Sequence, residues 1–248
     1  VVCELGFDGL DINMGCPSKS VAASGSGAAL IKTPDLAHAI VRAARQGLED
    51  WAGGQSIHSQ GFKPSRIEFI HTLNHSRSGV PVVPRRLLPL SIKTRLGFDC
   101  VVVERWVEHL LAARPAAITL HGRTLQQMYR GAADWSAIAE AGKRARGTGT
   151  LMLGNGDLNT LVDAIRRAAE SKVQGVLVGR GTLGSPWFFR EKEQARRAFS
   201  ERDDLPTLPA AAWEPQVSVS HRMQVMLDHA RQYEAIAGLE RFRSIRKH

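Results

Sequence analysis

The sequence predicts an α/β fold, and within that class part of a TIM-type (β/α)8 barrel of which the chain holds about the last five strands. Short apolar segments alternate with amphipathic helical segments, a pattern typical of βαβ units and a parallel sheet. The last four apolar segments begin near residues 91, 118, 151 and 176. Each segment ends in polar side chains, and a barrel carries its active site at the C-terminal ends of its strands. A doubly wound sheet would instead concentrate its ligand-binding groups at one switch point.

The first strand is predicted at LDINMG, residues 10–15, and it leads into the loop CPSK. The glycine-rich stretch SGSGAAL that follows could cradle a phosphate, but we favour a tight turn into a packed helix. The next helix has a clear start, with Thr33 as the N-cap, Pro34 at the first helical position and Asp35 in the first turn. It continues through LAHAIVRAARQGL.

From residue 51 to residue 89 the periodic pattern stops. This stretch is rich in glycine, serine and proline and has only a brief apolar run. A loop of this length without secondary structure is uncommon in a compact domain. We therefore expect an insertion over residues 51–89, flexible and joined to the barrel at the face opposite the chemistry.

After residue 89 strands and helices alternate regularly. The predicted strands are LPLSIKTR, AAITLHGRT, GTLMLGNGD and GVLVGRG. The predicted helices are VVVERWVEHLLAARP, DWSAIAEAGKRA, LNTLVDAIRRAAES and SPWFFREKEQARRAF. Glycine-rich turns, GNGD and GRGTLG, follow the last two strands and match the phosphate site that barrels form after strands seven and eight. Counting back makes LDINMG strand four, so we expect the first three strands to lie outside this chain.

This organisation predicts three regions. Residues 1–199 form the partial barrel with its insertion, and residues 200–216 are a proline-rich linker. Residues 217–248 begin a small helical domain, because VSVSHRMQVMLDHARQYEAIAG is strongly periodic and a second helix starts after it.

The composition is that of a globular protein. The 248 residues are 43% hydrophobic, and no apolar run approaches the roughly 20 residues that cross a bilayer. The formal net charge is +9, and residues 51–97 contain seven basic and one acidic side chains. A basic surface favours a polyanionic partner such as nucleic acid, although a generally basic enzyme would show the same charge. We expect a monomer without membrane contact, located in the cytoplasm or in mitochondria.

The three cysteines, Cys3, Cys16 and Cys100, have no CxxC spacing. Free thiols in a reducing compartment are the natural interpretation. His71 and His75 stand four residues apart, but no acidic residue lies between them and their polar flanks favour a solvated loop over a metal site. We therefore expect no metal.

Polar residues at the predicted strand ends form the candidate site. They are Asn13, Cys16, Lys93, Arg95, His121, Arg123, Asn155, Asp157 and Arg180. Taken singly, Lys93 is better explained as a surface cation and His121 as a hydrogen-bonded histidine of the core. Their joint placement at strand ends favours a site for a phosphorylated cofactor. Arg180 stands between Gly179 and Gly181, whose small size lets main-chain N–H groups approach a phosphate.

Cys16 is the thiol at the mouth of the first strand. Gly15 and Pro17 on either side place it in a loop rather than in the apolar stripe of a core element. It has no His or Asp next to it in the sequence, so the roles of nucleophile and acid both remain open. An ordinary thiol, with a pKa of about 8.5, is mostly protonated at neutral pH and can donate a proton.

Five segments resemble the tRNA-dihydrouridine synthase family, in its bacterial-type branch. They are DINMGCPSKSVAASGSGAALIKTP, SIKTRLG, ITLHGRTLQQMYRGAADWSAIAEA, GNGD and GVLVGRGTLGSPWFFRE. They occur in the family's order and cover most of residues 6–191 outside the insertion, and the final RFRSIRKH is similar to part of the family's C-terminal helical domain. The combination of NMGCPSK with HGRT and YRGAADW is highly specific, since related flavin barrels do not share it.

The resemblance implies an FMN enzyme that reduces a uracil base in tRNA to 5,6-dihydrouracil, with NADPH as the electron donor. Hydride from FMN would add to C6 of the base, and the Cys16 thiol would protonate C5. The resemblance also implies roles for single residues. Lys93 and His121 would contact the flavin ring system; Asn155, Gly156, Asp157, Gly179 and Arg180 would hold the ribityl phosphate; Asn13 would meet the base; Arg95 and Arg123 would support substrate or flavin.

Two other functions remain open from the sequence. One is an FMN-dependent barrel oxidoreductase that acts on a small molecule, and activity on free uridine but not on tRNA would favour it. The other is a non-catalytic RNA-binding remnant of the enzyme. The motif set and the start of a helical domain favour the tRNA enzyme over both.

Overall fold

A computed structural model describes residues 1–78, 84–192, 216–238, 240–242 and 245. These residues form two compact units. The first unit comprises Val1–Gly156 and Arg167–Leu177, and the second comprises Asp157–Arg166 and Val178–His248. The predicted linker, residues 200–216, lies outside the described residues except for its last position.

The first unit contains a sheet of five parallel strands. They are β1 (Leu10–Met14), β2 (Leu90–Arg95), β3 (Ala117–His121), β4 (Leu151–Asn155) and β5 (Gly175–Leu177). The strands are arranged in the sheet in the order β1-β2-β3-β4-β5, which is their order in the sequence. A doubly wound sheet reverses its strand order at the switch point, whereas a barrel keeps the sequential order. The predicted barrel architecture and the positions of the five strands are therefore confirmed.

α-Helices follow the strands. They are α1 (Lys19–Ala23), α2 (Pro34–Ala52), α3 (Pro64–Ser78), α4 (Val103–Ala112), α5 (Trp135–Ala145), α6 (Leu161–Ser171) and α7 (Val219–Ala237). Of the helix predicted at SPWFFREKEQARRAF, residues 186–191 form turns instead, Lys192 is helical, and residues 193–199 lie outside the described residues.

Helices α4 and α5 cover one face of the sheet. The indole N–H of Trp106 in α4 donates a hydrogen bond to the Thr94 hydroxyl of β2 at 3.0 Å. The Trp135 ring of α5 packs so closely on Gly154 of β4 that a Cβ there would lie 2.4 Å from the ring. Thr94 and Gly154 occupy one cross-strand row, so both helices pack on the same side of the sheet. A barrel has its helices on this single outer side.

The opposite face of the sheet contains the polar side chains of the candidate site. Successive residues of a strand point to alternate faces, so Lys93 and Arg95 project away from the face of Thr94. The register pairs Asn13 with Lys93, Arg95 with His121, and His121 with Asn155. Predicted site residues from four strands therefore share one face near the C-terminal ends of the strands.

Two helix starts differ in how they are capped. Thr33 holds the N-cap position of α2 as predicted, but its side chain makes no capping hydrogen bond. Helix α5 is capped by Asp134, whose carboxylate accepts a hydrogen bond from the Ala137 N–H at 2.9 Å. Hydrogen bonds from Ser136 and Ala137 lower the pKa of Asp134, so the cap is an ionised carboxylate at neutral pH. Asp134 thereby fixes the point where the loop after β3 enters α5.

The predicted insertion, residues 51–89, contains more regular structure than expected. Residues Ile57–Gln60 form a 3₁₀ helix, and α3 follows it. Ile57, Ile67 and Ile70 form a small buried cluster, with Leu5 and Phe62 packed against it. The expectation of a segment without regular structure is therefore wrong for residues 57–60 and 64–78, whereas the flexibility of residues 51–89 stays a prediction. The apolar residues of α3 form no clear helical stripe in the sequence. Ile67 and Ile70 are buried in a cluster that includes Leu5 of the N-terminal segment, whereas Phe69 of the same helix is 62% exposed.

The second unit has its own small apolar cluster. Leu161 and Phe188 are buried there, with Ile165 and Val178 packed against them. Helix α7 agrees with the helix predicted at the start of residues 217–248, while residues 239, 243, 244 and 246–248 lie outside the described residues. Within the described ranges, no helix combines the length and the apolar character that a membrane span requires.

Candidate functional site

Cys16 lies in the loop that follows β1, where its thiol is free and half-buried. Three hydrogen bonds hold the main chain of this loop. The Asn13 side-chain oxygen accepts from the Gly15 N–H at 3.0 Å, and the Arg95 Nε donates to the Gly15 carbonyl at 2.8 Å. The Ala28 N–H donates to the Cys16 carbonyl at 3.2 Å. The loop therefore places the thiol at the C-terminal end of the sheet in a defined position.

Gly27 packs directly against Cys16. Its φ of +60° lies in the left-handed region, and a Cβ at this position would come within 2.9 Å of both the Cβ and the carbonyl oxygen of Cys16. Only glycine fits there without displacing the thiol. Residues Gly27–Lys32 then form a 3₁₀ helix of which Gly27–Ile31 are buried. The favoured interpretation of SGSGAAL, a tight turn into a packed helix, is confirmed.

Lys93 is half-buried in β2, beside Asn13 in the register. Burial lowers the pKa of Lys93, and the positive charge of Arg95 lowers it further, while Asp11 acts in the opposite direction. A partly desolvated ammonium group destabilises the folded protein unless a ligand compensates it. Lys93 therefore lowers the stability of the ligand-free protein, and its position suits an electron-rich ligand.

We expect Lys93→Met to increase the free energy of unfolding at pH 7 in the absence of ligand. The pKa of Lys93 is lower in the folded state than its unfolded value of 10.5. Between these two values the unfolded chain binds more protons, so the contribution of this residue to stability rises with pH. The advantage of the variant should therefore shrink as the pH approaches 10.5.

Urea unfolding at pH 7 and at pH 10.5 measures this difference. The control is Lys143→Met, which removes an exposed ammonium group whose side chain is 62% accessible. A Lys93→Met protein that is less stable than the parent at pH 7, or a difference that does not depend on pH, would contradict the argument.

His121 and Asn155 are partners at the ends of β3 and β4. The Asn155 amide nitrogen donates to the Leu177 carbonyl at 2.8 Å, and the Asn155 carbonyl accepts from the Gly122 N–H at 2.9 Å. Gly156 follows with a φ of +135°, and a Cβ there would lie 2.6 Å from the Ala133 side chain. Packing thus requires glycine at position 156 whether or not a phosphate approaches it.

Arg95 and Arg123 are both buried, with 3% and 2% of their surface exposed. Arg95 binds the carbonyls of Gly15 and Thr124, and the Arg123 Nη2 donates to the Gly131 carbonyl at 2.6 Å. Burial lowers the pKa of Arg95. Both guanidinium groups therefore hold main-chain segments at the strand ends. Their predicted support of substrate or flavin stays a prediction.

In the second unit, Asp157, Gly179 and Arg180 lie in the two glycine-rich turns. The Arg180 Nη2 is 3.2 Å from the Asp157 Oδ1, and the Arg180 side chain remains 59% exposed. Gly181 is closely packed, since a Cβ there would lie 2.4 Å from the Leu158 carbonyl oxygen. The accessible cation suits an anionic ligand, whereas the Asp157 carboxylate suits the orientation of Arg180 rather than direct contact with a phosphate.

Sequence reasoning missed two supports of the Cys16 loop, Gly27 and Thr124. Both lie in segments that the sequence singles out, Gly27 in SGSGAAL and Thr124 in HGRT, but neither segment indicates a contact with the Cys16 loop or with Arg95. Among the described residues, no group of three or more His, Cys, Asp or Glu side chains is placed to hold a metal ion. His71 and His75 lie exposed on α3 and not in a loop.

Comparison with known proteins identifies a family that this chain matches. A family model for dihydrouridine synthase matches residues 1–50 and 76–248. The chain is 33% identical over 208 residues to the probable tRNA-dihydrouridine synthase 2 of Bacillus subtilis, a match that covers 82% of this chain and 51% of that relative. It is 32% identical over 217 residues to a probable tRNA-dihydrouridine synthase of Rhodobacter capsulatus, a match that covers 86% and 52%.

A probable tRNA-dihydrouridine synthase of Mycobacterium leprae is 33% identical over 195 residues, which cover 76% of this chain and 40% of that relative. The chain thus spans about half the length of the curated relatives it matches. The family model leaves residues 51–75 unmatched, and this stretch lies within the predicted insertion and includes the start of α3.

Proposed function

The chain belongs to the dihydrouridine synthase family, and we propose that the whole protein reduces a uracil base in tRNA to 5,6-dihydrouracil with NADPH as the reductant. The names of the relatives support tRNA as the substrate. The observation that supports the chemistry is the position of Cys16, a free thiol in a loop that four neighbouring residues hold at the C-terminal end of a parallel sheet.

In this proposal Cys16 is the general acid. Reduction of the 5,6-double bond requires a hydride at C6 and a proton at C5, because negative charge develops on the C5 side and on the C4 oxygen. Cys16 Sγ donates its proton to C5 and becomes a thiolate, which is protonated again from solvent. The loop contributes by holding the thiol in one position, since general-acid catalysis requires the donor within hydrogen-bond reach of the accepting atom.

The residues of the first unit fit FMN as cofactor. FMN, when bound, supplies the hydride. Lys93 is a partly desolvated donor and His121 lies one strand further on the same face, so both suit the electron-rich edge of a flavin ring system. Asn13, exposed at the end of β1, suits hydrogen bonding to the base. Asn155 ends β4 at the same edge of the sheet, and Gly156 follows it.

For the second unit, taken by itself, we propose Arg180 as a ligand for a phosphate group. Arg180 is an exposed cation oriented by Asp157, and Gly179 precedes it without a side chain that would block a phosphate. Helix α7, also in this unit, has an exposed surface, and we propose that it belongs to the region that grips tRNA around the extracted base. Taking a base out of its stack costs a few kcal/mol, so such a grip is required.

The test uses the full-length protein with NADPH and an unmodified tRNA transcript. We expect the purified protein to contain FMN and to form dihydrouridine in the tRNA, measured by mass spectrometry of the nucleosides, with no product from free uridine. Product from free uridine alone would indicate an oxidoreductase for small molecules. Binding of tRNA without flavin and without product would indicate an RNA-binding protein. Either outcome would overturn the proposal.

A further inference from the structure

Arg95 connects the loop that contains Cys16 to the loop that follows β3. Its Nε donates to the Gly15 carbonyl at 2.8 Å, and its Nη1 donates to the Thr124 carbonyl at 3.0 Å. We propose that Arg95 is a positioning residue, whose guanidinium holds the Cys16 thiol in register with the loop after β3. This inference rests on the proposed function in one respect, namely that Cys16 is the general acid.

The burial of Arg95 supports a positioning role rather than contact with the substrate. The side chain is 3% exposed, and both of its described hydrogen bonds go to main-chain carbonyls. Burying a guanidinium group is costly unless it is well bonded. The two carbonyls are 109 positions apart in the chain, at Gly15 and Thr124, so one side chain connects two segments that are distant in the sequence.

The shape of arginine explains why this residue type is needed. A guanidinium group is planar and presents several donors in a fixed arrangement, so it binds two acceptors in different directions at once. A lysine in its place keeps the positive charge but presents a single nitrogen on a flexible chain. Arg95→Lys should therefore fold and keep one of the two carbonyl contacts while it releases the other.

The loop after β3, which Arg95 connects to the Cys16 loop, is buried at its start and exposed to solvent a few residues later. Its Thr124 is buried, whereas Tyr129 in the same loop is 62% exposed. The Leu125 and Gln126 N–H groups bind the carbonyls of Gly97 and Phe98, which follow β2. Arg95 thus connects the Cys16 loop to the loops after β2 and β3, which are hydrogen-bonded to each other.

The first experiment measures the position of the thiol directly. The full-length protein and its Arg95→Lys variant are treated with iodoacetamide, and alkylation is followed on the Cys16 peptide by mass spectrometry. We expect the rate at Cys16 to rise about tenfold or more, the factor that corresponds to losing one hydrogen bond to a charged group. The exposed thiol of Cys100 should keep its rate.

Thr94→Val is the matched control. Thr94 neighbours Arg95 in β2, is completely buried, and its hydroxyl donates to the Met14 carbonyl at 3.0 Å, two residues before Cys16. This variant should lower stability and leave alkylation of Cys16 unchanged. An unchanged or lower rate at Cys16 in Arg95→Lys would overturn the proposal. So would an equal rise at Cys100, or an equal rise at Cys16 in Thr94→Val, because both indicate general loosening.

The second experiment separates positioning from substrate contact. Dihydrouridine formation is measured under single-turnover conditions for Arg95→Lys, Cys16→Ala and the double variant. A residue that acts through the thiol slows the parent but changes the rate less than twofold once Cys16 is absent, since effects within one unit are not additive. Equal slowing in both backgrounds would show direct substrate contact and refute positioning. If the parent itself forms no dihydrouridine, the proposed function fails, and alkylation alone decides the role of Arg95.

Discussion

Replacing Cys16 with alanine is expected to slow dihydrouridine formation by roughly 10²–10⁴-fold, the range found when a positioned general acid is removed. The physical reason is that C5 of the base must then take its proton from water, which no group holds in place. The loop itself should survive, because its hydrogen bonds involve the main chain of Gly15 and Cys16 and not the thiol.

Stopped-flow absorbance measures the two half-reactions in one sample of the full-length protein. Bleaching of the flavin bands by NADPH should proceed at a near-normal rate in Cys16→Ala, because the thiol takes no part in it. Return of the bands on addition of tRNA should show the full loss. Cys100→Ala, which removes an exposed thiol, is the control and should behave as the parent in both steps.

Two results would contradict the role of Cys16 as acid. Equal slowing of both half-reactions would indicate that the variant disturbs the site as a whole. Normal rates in both would reduce Cys16 to a packing residue, and its loss would then appear only as lower stability. Cys16→Ser distinguishes geometry from acidity, since a hydroxyl occupies the same place but is a far weaker acid, so we expect it to be almost as slow as the alanine variant.

Arg180→Ala is expected to weaken FMN binding about tenfold or more. A hydrogen bond between a cation and a phosphate contributes about 1.5–3 kcal/mol, and the exposure of Arg180 places the effect near the lower end. Titration of the full-length apoprotein with FMN, followed by quenching of flavin fluorescence, gives the dissociation constant directly.

Arg190→Ala is the matched control for this prediction. Arg190 belongs to the same unit, its side chain is 48% exposed, and it pairs with a neighbouring carboxylate on Glu191. Its loss changes the net charge by the same amount and should leave FMN affinity unchanged. If both variants weaken FMN equally, the effect is one of overall charge, and Arg180 has no specific contact with the phosphate.

The sequence by itself was sufficient to predict the strands, most helices and the edge of the sheet at which the residues of the candidate site lie. Strands such as SIKTR and AITLH show a local apolar pattern that ends in polar residues, and glycine-rich turns follow β4 and β5. These features depend on neighbouring residues only. They can therefore be recognised from the sequence when the rest of the fold is unknown. Together with the resemblance of the motifs, they identified the family.

The tertiary structure decided what depends on residues far apart in the chain. Arg95, a candidate substrate contact from its place at a strand end, proves to be buried against the carbonyls of Gly15 and Thr124. Residues of the predicted insertion form α3, and two of them, Ile67 and Ile70, are buried in an apolar cluster that includes Leu5. Hydrogen-bond acceptors and apolar partners of this kind are supplied by distant segments, so no local pattern in the sequence records them.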